Sequence, residues 1–175
     1  MPHVHIAKPE DVQDTYEGDA DRPLGGYLVA LGGYAAGVAT LTGVAALRGR
    51  HLPERFGLGD TMLLSIATHK LSRLIAKDAV TSPLRAPFTR YQEPAGDGEL
   101  NESVRGRGVR HAIGELISCP FCLAVWIATG LTGGMVMAPR LTRAIGVVMT
   151  AVAASDAAQL VYDAAKQLPS LSARR

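Results

Sequence analysis

The chain has 175 residues, of which 47% are hydrophobic and only 5% aromatic, with 19 glycines and a formal net charge of +2. The low charge, without aromatic residues interleaved among basic ones, argues against nucleic-acid binding. A bias toward small and aliphatic residues favours helices packed closely in lipid over a water-soluble core built on large rings. The predicted fold class is all-α, a polytopic transmembrane helical bundle.

The first 23 residues form an acidic segment with little hydrophobic content. Such a segment cannot bury enough apolar surface to fold alone, so a disordered tail is predicted for residues 1–23. It also lacks the apolar core of a secretory signal. His3 and His5 indicate a metal site only weakly, since Pro2 has no amide proton to give up to a chelate.

Residues 24–47 contain no charged side chain and are the first predicted span. A helix of that length crosses the hydrocarbon with some tilt. Gly33 and Gly37 stand four residues apart in it, and Gly130 and Gly134 repeat this spacing in a later span. Small residues at this period let helices approach closely. Packing inside one bundle is the favoured interpretation, and a dimerisation face is the alternative.

Residues 57–80 allow two interpretations. Their apolar positions support a helix, but polar side chains at helical spacing give it one polar stripe: Thr61, Ser65, Thr68 or His69, Ser72 or Arg73, and Lys77. A spanning helix must turn such a stripe toward other helices or water, whereas an interfacial helix lays it among headgroups. Spanning is favoured because Asp60 is the only charge before His69. About four spanning helices are therefore predicted, or three plus one interfacial helix.

Residues 81–119 are rich in Pro, Gly and Arg and are predicted to form a polar connector. Phe88 and Tyr91, beside Arg85 and Arg90, are expected at the headgroup level. Apolar residues spaced by three and four between 109 and 117 predict a short amphipathic helix that leads into the next span.

Cys119 and Cys122 are the only cysteines, and they stand where the predicted span 120–138 begins. Pro120 suits the first helical position because a proline has no N–H that would lack a partner there. A last span is predicted at 144–162 with Asp156 as its single charge. The membrane domain therefore covers 24–166, followed by a basic C-terminal tail at 167–175.

Lysine and arginine are in excess in cytoplasmic loops. With four spans, eleven of these residues fall on the side of the connector and the C-terminus. The opposite side has five: Arg48, Arg50, Arg55, Arg140 and Arg143. The connector, the C-terminus and the cysteine end are therefore predicted to be cytoplasmic. That result also holds if residues 57–80 only lie on the surface.

An aspartate in lipid needs a partner. Counted along the predicted spans, Asp156 falls at the same depth as His69, Arg73, Cys122 and Trp126. An ion pair or hydrogen bond is predicted from Asp156 to the stretch 69–73, with Lys70 or Arg73 as the donor. The alternative is an Asp156 close enough to the interface to be hydrated.

The cysteine pair has three interpretations. The first is structural, since cysteines pack well as small apolar residues. The second is thiol–disulfide chemistry at a helix N-terminus, although no thioredoxin-like pattern is present and the cytoplasm is reducing. The third is a weak metal site, since structural zinc needs four ligands and only His111 or His69 could join the pair. No metal and no cofactor are predicted.

The block Cys119-Pro120-Phe121-Cys122 with Trp126 after it resembles the signature of a small bacterial membrane family known only as domain of unknown function 1360. Residues 70–78 and 80–89, which include an Arg-Ala-Pro-Phe block, resemble the same family. The resemblance covers about residues 60–161. It implies an integral bacterial membrane protein with no assigned activity, and it supplies no catalytic residues.

The predicted function is that of a multi-pass protein of the bacterial cell membrane that is non-enzymatic or of unassigned activity. Its predicted partner is the lipid bilayer, and it acts through helix packing, a protein partner or a homo-oligomer. A membrane thiol–disulfide redox protein that uses Cys119 and Cys122 is the first alternative. A metal-binding or transport component is the second.

Overall fold

The computed structural model describes residues 15–16, 22–96 and 98–172, with side chains described as far as residue 167. The predicted acidic tail, with His3 and His5, lies almost entirely outside these residues. Arg174 and Arg175 of the predicted basic tail also lie outside them.

Four long helices account for most of the described chain: α1 (Leu24–Leu47), α2 (Leu58–Lys77), α5 (Pro120–Met137) and α6 (Pro139–Ser172). Both α5 and α6 begin at a proline, the residue that best tolerates the first helical position. Only Ala138 separates these two helices. The prediction of a mostly helical chain is confirmed.

The connector is more ordered than the sequence predicted. It contains a 3₁₀ turn (Ala79–Thr81), the one-turn helix α3 (Ser82–Arg85), two strands, β1 (Thr89–Gly96) and β2 (Glu99–Val104), and the helix α4 (Val109–Ser118). The strands pair antiparallel, with Thr89 opposite Val104 and Tyr91 opposite Glu102. The all-α prediction is therefore wrong for this segment. Strand β1 is exposed after its first residue, so it lacks the apolar alternation by which strands are recognised.

The chain divides into two compact units, and the first comprises Met1–Thr40 with Ile75–Leu123. Its buried residues are mostly small or polar, with Ala76, Arg85, Thr89 and Ala112 among them, and Leu123 is a larger apolar exception. A side chain added at Gly114 would collide with Val104 of the hairpin, at 2.6 Å. This glycine therefore allows α4 to lie directly against β2.

The second unit comprises Leu41–Leu74 and Ala124–Arg175. Within it α2 and α6 run in the same direction, because their contacts ascend together along both helices. Asp60 binds Arg143 through two hydrogen bonds of 3.0 and 2.9 Å. One turn on, Leu63 lies against Gly146, and Lys70 then meets Asp156.

Large apolar side chains lie mostly on the surface, while the buried apolar positions are largely alanine. Among the described residues, three helices are long and apolar enough to cross a membrane: Leu24–Leu47, Pro120–Met137 and Pro139–Gln167. Only 6% of the apolar window of the first and third is buried. Helix α2 is not one of the three, since it carries Asp60, Lys70, Arg73 and Lys77.

The predicted glycine pairs divide between contact and open surface. A methyl group at Gly134 would lie 2.6 Å from Thr142 Oγ1 of α6. At Gly37 and Gly130 it would meet no described atom within 4 Å, and Gly33 is exposed. Gly37 and Gly130 therefore do not bring described helices of one chain together, and a role in association stays a prediction for these two glycines and for Gly33.

Candidate functional site

The two cysteines are in contact at the start of α5. The Cys122 thiol donates to Cys119 Sγ across 2.7 Å, and the Cys122 amide donates to the same sulfur at 3.3 Å. Cys119 thus caps the first turn of α5 with its side chain, in the manner of an oxygen-bearing N-cap residue. Both cysteines are free, Cys119 half-buried and Cys122 exposed. The site is a reduced dithiol with one sulfur accessible.

A polar cluster around Glu115 lies one helical turn before the dithiol. Its carboxylate accepts hydrogen bonds from the Tyr27 hydroxyl and from Arg22 Nη1, the latter at 2.8 Å. His111 Nε2 lies 3.6 Å from the same carboxylate. Because the Glu115 carbonyl accepts the Cys119 amide at 3.1 Å, the cluster ties the first turn of α1 to the cysteine end of α4.

Arg22 lies outside the apolar helices, just before α1. Its pKa is raised by its hydrogen bond to Tyr27 and by the negative charge of Glu115. The guanidinium is charged at any physiological pH, so this contact persists across that range.

The position of Arg85 differs from the one that the sequence predicts. Arg85 was expected near headgroups, but it is completely buried. Its guanidinium donates to Glu102 of β2, to the Ile75 and Asp78 carbonyls at 2.7 and 3.0 Å, and to Thr81 Oγ1 at 2.7 Å. It therefore caps the C-terminal carbonyls of α2 and holds the hairpin against them. Phe88 is half-buried and Arg90 and Tyr91 are exposed, so a headgroup location for these three stays a prediction.

The structure brings together two of the four residues predicted to form an intramembrane cluster. Lys70 Nζ donates to Asp156 Oδ2 at 2.6 Å, with the lysine side chain 19% and the aspartate side chain 45% exposed. His69 and Arg73 lie on the exposed side of α2, and Trp126 is half-buried in α5. Lys70 is therefore the donor that the structure provides for Asp156.

Structural zinc requires four ligands, and the dithiol supplies two. Within the described part of the chain, no three His, Cys, Asp or Glu side chains are grouped closely enough to hold a metal ion.

The chain is similar in sequence to one protein family and to a protein of known name. Residues 63–162 match the family described as a protein of unknown function (DUF1360). The chain belongs to the DUF1360 family. The matched range, more than half of this chain, runs from α2 into α6 and includes the hairpin, both cysteines and the Lys70–Asp156 pair.

One relative of this DUF1360 protein is the sporulation protein YjcA of Bacillus subtilis (strain 168), which is 41% identical over 70 residues. The alignment covers 38% of the present chain and 59% of the relative. This chain therefore spans less than two thirds of that relative's length. No solved structure matches the chain.

Proposed function

We propose that this DUF1360 protein is a four-span protein of the bacterial cell membrane that acts by packing against a partner helix inside the bilayer. The parallel course of α2 along α6 carries the proposal. The two helices meet at Asp60, Leu63 and Lys70 of α2. The first and last of these positions are ten residues apart, or about 15 Å at 1.5 Å per residue.

A helix lying flat among headgroups would cross a spanning helix at a large angle and leave it after one or two turns. Since α6 is long and apolar enough to span, a helix that follows it for half a hydrocarbon thickness shares its direction through the bilayer. A four-span chain also requires that its second and fourth spans run the same way. The α2–α6 contacts have this orientation.

The partner surface is the polar stripe of α2, defined here as Thr61, Ser65, His69 and Arg73. These residues follow one another at four-residue steps and all four are exposed. The Thr61 hydroxyl donates to the Gly57 carbonyl, just before α2, at 3.2 Å, and the Ser65 hydroxyl donates to the Thr61 carbonyl at 2.8 Å. The exposed imidazole of His69 is costly to leave in lipid. Polar side chains at intramembrane positions face other helices or water, which favours a partner here.

The proposed orientation has the hairpin, the cysteine end and the C-terminus in the cytoplasm. It follows from the excess of basic residues in the connector. The loop 48–57 is then extracytoplasmic. If α2 lay on the cytoplasmic surface instead, that loop would stay inside.

An impermeant maleimide applied to intact cells tests this arrangement. In a Cys119→Ser/Cys122→Ser background, Arg50→Cys should be labelled in intact cells. The matched Gln92→Cys, on exposed strand β1, should be labelled only after permeabilisation. Protection of Arg50→Cys in intact cells, with labelling after permeabilisation, would overturn the four-span proposal.

A second candidate, thiol–disulfide exchange, is favoured by the 2.7 Å contact between the Cys119 and Cys122 sulfurs. Oxidation by a small disulfide such as oxidised glutathione would join the two sulfurs in one S–S bond. Two electrons would pass to the oxidant, which would leave as two thiols carrying the two protons. The exposed Cys122 is the sulfur that an incoming disulfide reaches first.

Titration of the purified protein with glutathione mixtures, followed by alkylation and mass analysis, tests this candidate. A reversible loss of two alkylation sites within the physiological range of potentials supports it. Cys119→Ser should instead leave a mixed disulfide on Cys122. Two sites that remain alkylated at every potential would remove the redox candidate.

A further inference from the structure

Two arginine side chains of the first unit converge on one carbonyl oxygen. Arg105 Nε donates to Pro87 O at 3.2 Å, and Arg110 donates to the same oxygen through Nε, at 3.1 Å, and Nη2. The two guanidinium groups are therefore neighbours. Neither forms an ion pair with a carboxylate of the described residues.

The Arg105 and Arg110 guanidinium groups have further N–H donors beyond those that the Pro87 carbonyl accepts. A guanidinium has five N–H donors, and Pro87 O takes one nitrogen of Arg105 and two of Arg110. Like charges held this close repel one another unless an anion lies between them. Arg107 is exposed on the same loop. Phosphate is the anion whose geometry suits several arginine forks.

The loop backbone is shaped to bring Arg110 to this position. Gly106 has φ +95°, a conformation that favours glycine. A side chain at Gly106 would lie 2.8 Å from Arg110 Cδ and 3.0 Å from its Cγ. The Arg110 stem thus passes directly over Gly106 on its way to Pro87.

The loop also lies beside the first turn of α1. A methyl group at Gly26, the third residue of α1, would lie 2.7 Å from Gly108 O and 2.9 Å from Ala112 Cβ. The first turn of a spanning helix is at the level of the headgroups. This depth indicates a phosphate that belongs to a lipid.

We propose that Arg105 and Arg110 bind the phosphate of an anionic phospholipid headgroup in the leaflet where α1 begins. The proposal rests on the proposed function, since it needs α1 to span the bilayer. It adds a lipid site that the helix packing does not require.

Native mass spectrometry of the protein in a neutral detergent tests the site, with dioleoyl phosphatidylglycerol and dioleoyl phosphatidylcholine as probes. The wild-type protein should retain the phosphatidylglycerol preferentially. Each basic residue at a headgroup contributes about fivefold, so Arg105→Gln/Arg110→Gln should weaken this binding about thirtyfold. The matched Arg48→Gln/Arg50→Gln variant removes the same charge from the exposed loop after α1 and should leave it unchanged.

Gly106→Ala separates geometry from charge. It keeps every arginine but displaces the Arg110 stem, so it should weaken phosphatidylglycerol binding several-fold. It also keeps the test open if the double variant fails to fold. Unchanged binding in Gly106→Ala and in Arg105→Gln alone would overturn the site.

Soluble glycerol phosphate identifies the source of the phosphate. It should compete poorly, because the acyl chains hold the headgroup at the loop. Competition at the same concentration as the lipid would overturn the lipid assignment. Protection of Arg50→Cys from the maleimide in intact cells would contradict the four-span proposal. Unchanged lipid binding in the arginine variants would contradict only the lipid site.

Discussion

Arg85 illustrates how much one residue decides in the first unit. Its side chain is fully buried and meets Glu102, two main-chain carbonyls and a threonine hydroxyl. A buried guanidinium is stable only when such partners surround it. The cap on α2, the 3₁₀ turn and β2 therefore depend on the same group.

We expect Arg85→Met to destabilise the protein by about 3–5 kcal/mol, because it leaves Glu102 buried without its partner. Thermal unfolding in detergent, read by protease resistance of the hairpin, measures the loss. Arg85→Lys should restore little, since an ammonium cannot reproduce the fork of a guanidinium.

The control for this prediction is Arg90→Met on the exposed face of β1. It should change stability by no more than about 0.5 kcal/mol. Equal effects of the two variants would mean that the burial of Arg85 contributes nothing.

At the scale of the element, α2 and α6 are joined by two ion pairs of different character. In the Asp60–Arg143 pair the arginine side chain is 51% exposed and the aspartate side chain 26%. The Lys70–Asp156 pair has its cation only 19% exposed. Leu63 packs on Gly146 between them. The pairs fix the register of the helices, which an apolar contact alone would leave free to slide.

We expect a coupling energy of about 1–3 kcal/mol between Lys70→Met and Asp156→Asn in a double-mutant cycle. The coupling between Asp60→Asn and Arg143→Gln should be smaller, because the cation of this pair is half exposed whereas that of the Lys70–Asp156 pair is mostly buried. Unfolding by a denaturing detergent measures the free energy of unfolding of each variant in the two cycles. Strictly additive losses at Lys70 and Asp156 would show that their contact does not hold the helices together.

On the scale of the whole molecule, burial is inverted relative to a water-soluble protein. Leu28, Leu31, Val148 and Leu160 are all more than half exposed, while the buried apolar positions include Ala45, Ala67 and Ala76. An apolar surface this extensive requires lipid or a partner to cover it. Helices with small residues between them pack closely without any help from the hydrophobic effect.

If a partner covers the polar stripe of α2, a photo-activated benzoylphenylalanine at Ser65 should give a discrete adduct in native membranes. Val148 of α6 is the matched control because it lies at a similar depth. Asp60 and Arg143 are paired, and Ser65 and Val148 each stand five residues after their member of that pair. Val148 should give only diffuse lipid adducts.

An adduct of twice the protein's mass at Ser65 would identify a second copy as the partner. A discrete heavier or lighter adduct would identify a different membrane protein. Identical diffuse patterns at both positions would mean that the stripe faces lipid or water, contrary to the proposed function.

Some features of this protein were fixed by local pattern. Apolar runs predicted α1, α5 and most of α6, and Pro120 at a first helical position predicted the start of α5. The polar stripe and spacing predicted α2 as a helix, and residues 109–117 predicted α4. Family membership followed from short blocks of residues and is confirmed by the match over 63–162.

Only the tertiary structure decided the rest, because it depends on residues far apart in the chain. Arg85 is buried since Glu102, seventeen positions later, returns to it across a hairpin. No periodicity marks a strand such as β1 that is exposed along nearly its whole length. The choice of Lys70 as the donor to Asp156 depends on the register of α2 against α6, 86 positions apart. The meeting of Arg105 and Arg110 at Pro87 depends on a positive-φ glycine and a distant carbonyl. Composition predicts where helices form, but it does not predict which charges the fold brings together.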